Sequence, residues 1–392
     1  MRTRTYAEGH LFGSLEPTEP VSQDTRTVRE WRYPDARWQG VRPVLSLVFD
    51  SLKNVNRVAT DRESGELNEG SDSGERPFSI GRRFRGPAEH ADVSALVVTY
   101  NSAGYIHPLV ESLRRQLVDQ TIRLIVVDNA SVDDTFATLM RYEDVIAVAA
   151  GKNLGYAGGI NVARQHIGDA DTVLVLNPDL ELADGAVKAL RSCLAETSAG
   201  VVVPRLLDHD GSLYMSLRRE PTSLRALGDA IFGRRLAGRP AALGEIDMDQ
   251  WSYEHRHTVD WATGAALLVD ANLDKRIDGW DERFFLYSEE VDFMRRVRWA
   301  GGQIWFEPDA VIRHRRGGSG ASVAFEALMA INRVRYQEKW HGVARALPFR
   351  AAVVLGSALR AWQPRHRTSL RYLVRRGKWS ELQGSRDARS RT

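Results

Sequence analysis

Four clusters of polar residues and one glycine-rich run are the parts of this sequence best suited to bind or transform a ligand. The polar clusters are Thr99-Tyr100-Asn101, Asp128-Asn129, Asn177-Pro178-Asp179 and Glu289-Glu290. The glycine-rich run at 151–161 has the sequence GKNLGYAGGIN. Closely spaced glycines let the backbone approach a ligand at the start of a helix, where a phosphate group binds well. Together the clusters and the run predict a binding crevice that accepts a phosphorylated compound.

Each cluster also has a plain structural explanation. Asp128 and Asn129 could cap the next helix, Asn177-Pro178-Asp179 could form a turn, and the glycines could form an ordinary loop. Glu289, Glu290 and Asp292 could be a solvated acidic start of a helix predicted at 294–300. Crowding of these carboxylates would instead raise the proton affinity of one of them, because neighbouring negative charges disfavour ionisation. The apolar run at 284–287, just before the acids, favours this second interpretation.

The elements that would position these clusters alternate between strand and helix. Short, β-branched, nearly continuous apolar runs predict strands at 93–99, 122–127, 145–150 and 172–176. The stretches between them predict helices at 105–116, 133–142 and 158–167. This alternation indicates an α/β fold with a parallel, doubly wound sheet, in which ligands bind beyond the carboxyl ends of the strands. Three of the polar clusters follow strands, so we expect them to meet at one sheet edge.

Composition limits the class of protein and divides the chain into regions. At 392 residues, with 43% hydrophobic and 27% charged residues, the sequence is typical of a globular protein. A single cysteine excludes an internal disulfide framework, and no apolar secretory segment begins the sequence, so a cytoplasmic location is expected. We predict an N-terminal accessory segment at 1–60, a flexible linker rich in charge, Ser and Gly at 61–90, an α/β domain at 91–330 and a helical, basic C-terminal region at 331–392.

The motifs occur in an order that resembles a known family. In sequence they are Thr99-Tyr100-Asn101, Asp128-Asn129-x-Ser131-x-Asp133, Asn153-x-Gly155-x-Ala157-Gly158-Gly159-x-Asn161, Asn177-Pro178-Asp179, Trp261-x-x-Gly264 and Asp281-Glu282-x-Phe284-Phe285-x-Tyr287-x-Glu289-Glu290-x-Asp292. The region 93–330 resembles family-2 glycosyltransferases, especially the bacterial rhamnosyltransferase-like group that builds cell-wall and surface polysaccharides. The resemblance implies a GT-A fold, a Rossmann-like, mostly parallel sheet flanked by helices. It also implies a nucleotide-sugar-binding half at 91–207 and an acceptor and catalytic half at 208–330.

The resemblance assigns the donor and metal sites. Asp128 would accept a hydrogen bond from the nucleobase imide, in a pocket lined by Thr99 and Tyr100. A divalent metal, Mn²⁺ or Mg²⁺, would stabilise the leaving diphosphate. Asn177 replaces the first Asp of the family's Asp-x-Asp motif, so the predicted protein ligands are Asp179 and His314, with an ordinary histidine as the alternative for the latter. The other predicted nucleotide-sugar-binding residues are Asn101, Asn153, Gly158, Asn161 and Asn177.

Glu290 inherits the role of general base, although the family usually has Asp at this position. The predicted acceptor-binding residues are Trp261, Gly264, Glu282 and Glu289. Core packing is the alternative for Trp261, since buried tryptophans are common. Asp292 is expected to cap the following helix or pair with an arginine.

Outside these motifs, the arginines suggest two further surfaces. Arg313, Arg315 and Arg316 would form a basic loop that closes over the diphosphate, or a merely solvated loop. The apolar but arginine-rich segment 344–376 is too charged to span a bilayer. We expect it to lie on an anionic membrane surface, at the inner face of the plasma membrane, or to pack on the domain. Nucleic acid is not an expected partner, because the arginines do not interleave with exposed aromatic residues.

The leading functional hypothesis is an inverting, metal-dependent transfer of L-rhamnose from dTDP-rhamnose to a glycan or polyprenyl-linked glycan acceptor. A UDP-galactofuranose or other UDP-sugar transferase is one alternative. A nucleotidyltransferase is another, although such enzymes usually carry a Gly-rich basic loop after the first strand, unlike Thr99-Tyr100-Asn101-Ser102. Asn177 and Glu290, in place of the commoner Asp, also leave a non-catalytic sugar-nucleotide-binding subunit open.

Overall fold

The computed structural model describes residues 83–234, 236, 238–315 and 323–382. The accessory segment predicted at 1–60 and most of the linker predicted at 61–90 lie outside the described residues. Residues 83–90 are described and pack on the domain: the Phe84 side chain is 1% exposed, and the Arg85 N–H donates to the carbonyl of Ile122. The ordered domain therefore begins before residue 91. The linker prediction, which was based on the charged composition, did not account for the buried side chain of Phe84.

A large mixed sheet forms the centre of the described chain. Its strands are β1 (Ala91–Thr99), β2 (Ile122–Asp128), β3 (Ile146–Ala149), β4 (Ala170–Leu176), β5 (Leu180–Leu182), β6 (Val201–Leu207), β8 (His257–Thr258), β10 (Ala266–Asp270) and β11 (Ile304–His314). They are ordered β3-β2-β1-β4-β10-β6-β11-β5, with β8 also paired to β11. Strands β3, β2, β1, β4, β6 and β11 run in one direction, and β10, β5 and β8 run in the other. The predicted mostly parallel sheet is confirmed. A separate pair joins β7 (Leu217–Arg218) to β9 (Trp261–Ala262).

Helices cover both faces of this sheet. They are α1 (Ala103–Gln116), α2 (Thr135–Leu139), α3 (Gly155–Arg164), α4 (Ala186–Thr197), α5 (Ser223–Phe232), α6 (Gln250–Glu254), α7 (Ala271–Ile277), α8 (Glu289–Trp299), α9 (Val323–His341), α10 (Leu347–Ala358) and α11 (Pro364–Val374). Short 3₁₀ helices occupy Ala241–Leu243 and Arg376–Leu382. Successive side chains of β1 enter different cores: Leu96 and Val98 pack on one side, and Ala95 and Val97 on the other. Burial of both faces explains the continuous apolarity of the strand sequences.

The carboxyl ends of the central strands meet at one edge, as predicted. Thr99 pairs in register with Asp128, and β4 ends beside them at Leu176. At the far side of the sheet, His314 at the end of β11 pairs with Leu180 of β5, directly after Asp179. Polar residues that are distant in sequence are thereby placed along a single edge of the sheet.

The C-terminal helices belong to the same packed unit as the sheet. Helix α9 crosses the boundary predicted at residue 330, so that boundary falls inside a helix. Side chains of α5, α9, α10, α11 and the last 3₁₀ helix form a third apolar core, which includes Ala226, Leu328, Phe349, Leu373 and Trp379. Packing on the domain, one of the two expectations for this region, is therefore present. In the described part of the chain, no helix combines the length and apolarity that a membrane span requires.

Candidate active site

The ends of β1 and β2 hold a buried carboxylate in a fixed orientation. Asp128 is 4% exposed, and its carboxylate accepts hydrogen bonds from the Ser131 N–H at 3.1 Å and from the Thr99 hydroxyl at 3.3 Å. Tyr100, at 45% exposure, lies at the surface next to it. Asn101 has a positive φ of 52°, and its side-chain oxygen accepts from the Val132 N–H at 2.9 Å. Its side chain therefore shapes the loop after β2.

Two asparagines organise the glycine-rich loop. The Asn129 amide donates to the Gly155 carbonyl at 2.9 Å, and its oxygen accepts from the Leu154 N–H at 2.9 Å. The Asn153 side-chain oxygen accepts from the Gly155 N–H at 2.9 Å and from the Asn129 amide at 3.2 Å. Asn129 was not among the residues predicted to bind the donor, although it lay within a quoted motif. The side-chain amides of Asn129 and Asn153 therefore hold the glycine-rich loop in place.

The glycine-rich loop packs closely against the segment before α8. Gly155 has a φ of 75°, and any Cβ there would overlap the carbonyl oxygen of Phe285. The Tyr156 N–H donates to the same carbonyl at 2.7 Å, so this amide is not available to a phosphate group. At Gly158 a Cβ would lie 2.8 Å from the Leu154 Cβ. These glycines are required by close packing, a role that the phosphate interpretation of the run did not include.

Asn161, predicted to bind the donor, instead connects α3 to the acceptor side. Its amide donates to the Trp280 carbonyl and to Glu282 Oε1, both at 2.9 Å, and its oxygen accepts from the Trp280 N–H at 2.8 Å. Glu282 is exposed and therefore keeps a free approach from solvent. Asn161 thus orients a predicted acceptor-binding carboxylate.

A strained turn presents the two glutamates. Tyr287 and Ser288 are consecutive non-glycine residues with positive φ, 69° and 73°, directly before α8. Each such residue costs roughly 1–3 kcal/mol and persists only where the surroundings hold it. Here Asn332 of α9 does so, because its buried amide donates to the carbonyls of Leu286 at 2.9 Å and Tyr287 at 3.0 Å. Sequence reasoning missed Asn332, and the available signal was a polar residue between the apolar positions Leu328, Ile331 and Val334.

The glutamates differ in their electrostatic surroundings. Burial, followed by the charge of Glu290, raises the pKa of Glu289 well above its usual range. Burial also raises the pKa of Glu290 to about 7, with Arg218 opposing the shift. Within the described residues, Oε2 of each glutamate is buried and has no hydrogen-bond partner. Glu289 is only 4% exposed, so the alternative of a solvated acidic helix start is wrong for it. Burial thus favours the protonated form of Glu289, while the pKa of Glu290 lies near 7.

Three further groups close around this pair. A Cβ on Gly264 would lie 3.0 Å from the Glu290 Cβ, so a glycine is needed for this close approach. The Tyr156 hydroxyl donates to the Gly264 carbonyl at 3.2 Å. Burial, then the charges of Glu289, Glu290 and Asp179, raise the pKa of Tyr156. The glycine-rich loop, the end of β4 and the start of α8 therefore surround one space.

Asp179 and His314 form the predicted pair at the end of β11. His314 Nε2 lies 3.4 Å from Asp179 Oδ1, and its ring stacks on Tyr214 with centroids 6.1 Å apart. His314 Nδ1 is buried and lacks a hydrogen-bond partner among the described residues. No group of three or more His, Cys, Asp or Glu side chains in that part of the chain could hold a metal ion. The pair fits a cation that takes its remaining ligands from a diphosphate and water. Asn177 is close by in sequence, and its N–H donates to the Ala265 carbonyl at 2.8 Å.

Three other predicted residues have structural partners. Trp261 is 6% exposed and its indole N–H donates to the Arg219 carbonyl at 3.0 Å, so it packs in the core and offers no open face for a sugar. Asp292 is fully buried and pairs with Arg296 at 3.0 Å, as expected, and also with Lys339. Arg315 pairs with Glu181 at 2.8 Å. Arg313 is exposed, while Arg316 and the glycines after it lie outside the described residues.

We expect Asn332→Leu to reduce turnover in glycosyl transfer, the activity that the resemblance implies, by about tenfold or more. The loss of its amide frees the strained turn, so Glu289 and Glu290 no longer keep one orientation. Donor affinity should be unchanged. Gln337→Leu is the matched control, because Gln337 is also a buried amide of α9 but donates to Pro221 at 2.7 Å, away from the turn. Turnover, donor affinity and melting temperature would be measured for both variants. Equal loss of turnover in the two variants at equal loss of stability would contradict a positioning role.

Comparison with known proteins agrees with this geometry. Residues 94–239 match the family model described as Glycosyl transferase family 2. The N-acetylglucosaminyl-diphospho-decaprenol L-rhamnosyltransferase of Mycobacterium tuberculosis (strain ATCC 25618 / H37Rv) is 28% identical over 244 residues, which are 57% of this chain and 76% of that protein. Rhamnosyltransferase WbbL of Escherichia coli (strain K12) is 24% identical over 224 residues, 55% of this chain and 80% of that protein.

Among solved structures, the mannosyltransferase PcManGT from Pyrobaculum calidifontis, in complex with GDP-Man and Mn²⁺, is 16% identical with a TM-score of 0.45, covering 79% of this chain and 88% of that one. The family model and the curated relatives favour a glycosyltransferase over a nucleotidyltransferase. Residues 94–239 therefore form a family-2 glycosyltransferase domain, and the chain is a glycosyltransferase similar to the rhamnosyltransferases of these two bacteria.

Proposed function

We propose that the protein transfers L-rhamnose from dTDP-rhamnose, with inversion, to a polyprenyl-linked glycan in cell-wall or surface polysaccharide synthesis. The observation that carries the proposal is the buried glutamate pair, whose unpartnered oxygens lie beside Gly264 and Tyr156. The choice of rhamnose and of a lipid-linked acceptor is supported by relatives named as rhamnosyltransferases, one of them acting on a diphospho-decaprenol compound. A UDP-galactofuranose or other UDP-sugar donor is the alternative.

In the chemical step, the carboxylate of Glu290 accepts the proton of an acceptor hydroxyl. The hydroxyl oxygen forms a bond to the anomeric carbon from one face while the bond to the diphosphate breaks on the opposite face. The proton remains on Glu290 and the electron pair leaves with the nucleoside diphosphate. A base with a pKa near the working pH is well matched to this transfer. Glu289, whose protonated form is favoured by burial, would donate a hydrogen bond to an acceptor oxygen.

The donor lies along the carboxyl edge of the sheet in this proposal. Asp128 receives the imide N–H of the base, Thr99 and Tyr100 line the pocket, and the loops shaped by Asn101 and Asn153 enclose it. Asp179 and His314 would hold a divalent cation, Mn²⁺ or Mg²⁺, which would neutralise charge on the leaving diphosphate.

The acceptor approaches from the side of Gly264 and Glu282, with Asn161 orienting Glu282. Transfer to a lipid-linked glycan would require the protein to work at the membrane surface, and we propose a peripheral position on the inner face of the plasma membrane.

A donor screen by thermal shift tests the donor assignment. We expect dTDP-rhamnose with manganese to raise the melting temperature, because a ligand that binds only the native state stabilises it by mass action. UDP-galactofuranose should give a smaller shift at equal concentration. A larger shift with UDP-galactofuranose would replace rhamnose by the alternative donor.

Metal dependence should run through Asp179 and His314. Asp179→Ala should abolish the manganese-dependent part of donor binding, and His314→Ala should weaken it, because each removes one of the two protein ligands. Asp184→Ala is the control, since this nearby carboxylate is exposed and pairs with Arg115. Titration of donor at several manganese concentrations provides the measurement. If both variants titrate like the control, these residues hold no metal.

Glu290→Gln should lower turnover by roughly a hundredfold or more with little change in donor affinity, because it keeps the shape of the base and removes its proton affinity. Glu289→Gln should mainly raise the apparent Michaelis constant for the acceptor. Asp292→Asn should lower the melting temperature, because it weakens the buried pairs with Arg296 and Lys339. Near-normal turnover of Glu290→Gln, with loss in one of the other two, would assign the base to another carboxylate.

The wild-type pH profile supplies an independent check on the base. Glu290 must be ionised to accept a proton, and its pKa is about 7. Turnover should therefore rise about tenfold per pH unit below 7 and level off above it. The residual activity of Glu290→Gln should not show this rise with pH. A flat wild-type profile between pH 5 and 8 would show that no base titrates there.

A further inference from the structure

A second cavity, separate from the space around Glu289 and Glu290, lies between α5 and the C-terminal helices α9, α10 and α11. Its volume is about 780 Å³, within the usual range for ligand sites of roughly 300–1,000 Å³. None of the residues predicted to bind donor, metal or acceptor lines it. It is therefore a separate feature of the fold that the proposed mechanism does not use.

The lining of this cavity is amphiphilic. Its apolar wall includes Ala230, Phe232, Leu236, Met329, Ala330 and Val353. Four arginines, Arg234, Arg333, Arg360 and Arg365, and two carboxylates, Asp229 and Glu326, also line it. The excess of arginine over carboxylate suits an anion with more than one negative charge, and an arginine binds phosphate oxygens through paired N–H groups.

Two of these arginines have unused donors. The Nε atoms of Arg234 and Arg333 are buried and have no hydrogen-bond partner among the described residues. Arg333 is held in place by ion pairs to Glu245 at 2.6 Å and Asp229 at 3.5 Å. A buried donor without a partner is unfavourable unless a ligand or water supplies an acceptor. The cavity thus offers preformed donors to a bound anion.

One wall of the cavity is the helix that holds the catalytic turn. Arg333 follows Asn332, whose amide binds the carbonyls of Leu286 and Tyr287. Glu326 follows Phe325, whose ring packs edge-on against Tyr287 with centroids 6.4 Å apart. The cavity and the turn that carries Glu289 and Glu290 are therefore both in contact with α9.

Exposed apolar side chains lie on α5 and α10, two of the helices that form the cavity. Leu224, Leu227 and Ile231 form an exposed stripe along α5, and Leu355, Leu359 and Trp362 are exposed along and just after α10. The two helices are neighbours, because a Cβ on Gly356 would lie 3.2 Å from Ala230. Monomeric proteins rarely expose apolar patches of this kind without a binding role, and apolar helix faces with flanking arginines are typical of proteins that lie in a membrane interface.

We propose that this cavity binds the diphosphate and first isoprene units of the lipid-linked acceptor, and that the isoprenoid chain leaves across the exposed face of α5 and α10 into the bilayer. The arginines would contact the diphosphate, and the apolar wall would contact the isoprenoid carbons. This assignment rests on the proposed transfer to a polyprenyl-linked glycan. It places the lipid anchor against α9, the helix that also holds the catalytic turn.

Binding of farnesyl diphosphate to the full-length protein tests the cavity directly. Isothermal titration should show that farnesyl diphosphate binds more tightly than inorganic pyrophosphate or farnesol. Only farnesyl diphosphate can contact both the lining arginines and the apolar wall. A330F narrows the apolar part and R365E reverses a lining charge, and each should weaken binding by about tenfold. R371E is the matched control, because Arg371 is an exposed arginine of the same helix that does not line the cavity. Equal affinity for pyrophosphate and farnesyl diphosphate, or equal weakening by R371E, would overturn the proposal.

Transfer assays separate this proposal from the proposed function. With a polyprenyl-linked acceptor, A330F and R365E should raise the apparent Michaelis constant for the acceptor about tenfold, while hydrolysis of the donor in the absence of acceptor should remain at the wild-type rate. If both variants keep the wild-type Michaelis constant and still transfer rhamnose, the cavity does not bind the lipid acceptor, and the proposed function is unaffected. Variant-sensitive binding of farnesyl diphosphate without any rhamnosyl transfer would support the cavity and reject the function.

Discussion

The burial of two adjacent carboxyl groups at the start of α8 is the constraint around which the site is organised. Glu289 and Glu290 follow two left-handed residues, and a turn of this kind would relax if nothing held it. Three distant parts of the chain hold it: Asn332 binds its carbonyls, the start of α3 binds the Phe285 carbonyl, and Gly264 allows Glu290 to approach. The free energy of these contacts maintains an arrangement that the local sequence alone would not favour.

The acids of this segment also differ in their electrostatic surroundings. Glu289 and Glu290 lie where desolvation dominates, so the pKa values of both are raised, Glu289 further than Glu290. Asp292, within the same helical turn, is equally buried but is neutralised by Arg296 and Lys339 and joined to Trp340 by a hydrogen bond. Three acids in four residues thereby have different surroundings, since desolvation dominates at Glu289 and Glu290 and ion pairs surround Asp292. The environment of each side chain decides this division, because their chemistry is nearly the same.

The C-terminal helices connect the catalytic turn with the second cavity and with the exposed apolar side chains of α5 and α10. Helix α9 contributes Asn332 to the turn, Lys339 to Asp292 and Arg333 to the second cavity. Since α10 and α11 pack on α9 through a shared apolar core, a ligand between them would act on the same helix that fixes the catalytic turn. An acceptor anchored there would meet the base with its orientation already restricted, which lowers the entropic cost of reaction.

The sequence by itself determined the layered α/β architecture and the edge at which the polar clusters meet, because strand and helix periodicity and strand-end residues are local signals. The resemblance to family-2 glycosyltransferases also drew attention to Glu290, Asp179 and His314, whose roles remain predictions. Only the tertiary structure decided that Trp261 is a core residue, that Asn161 binds Glu282, and that Asn129 and Asn153 hold the loop. Asn332 and the extent of the domain beyond residue 330 likewise required the fold. Each of these outcomes depends on which residues, far apart in the chain, come into contact, and on the solvent that such contacts exclude, neither of which periodicity records.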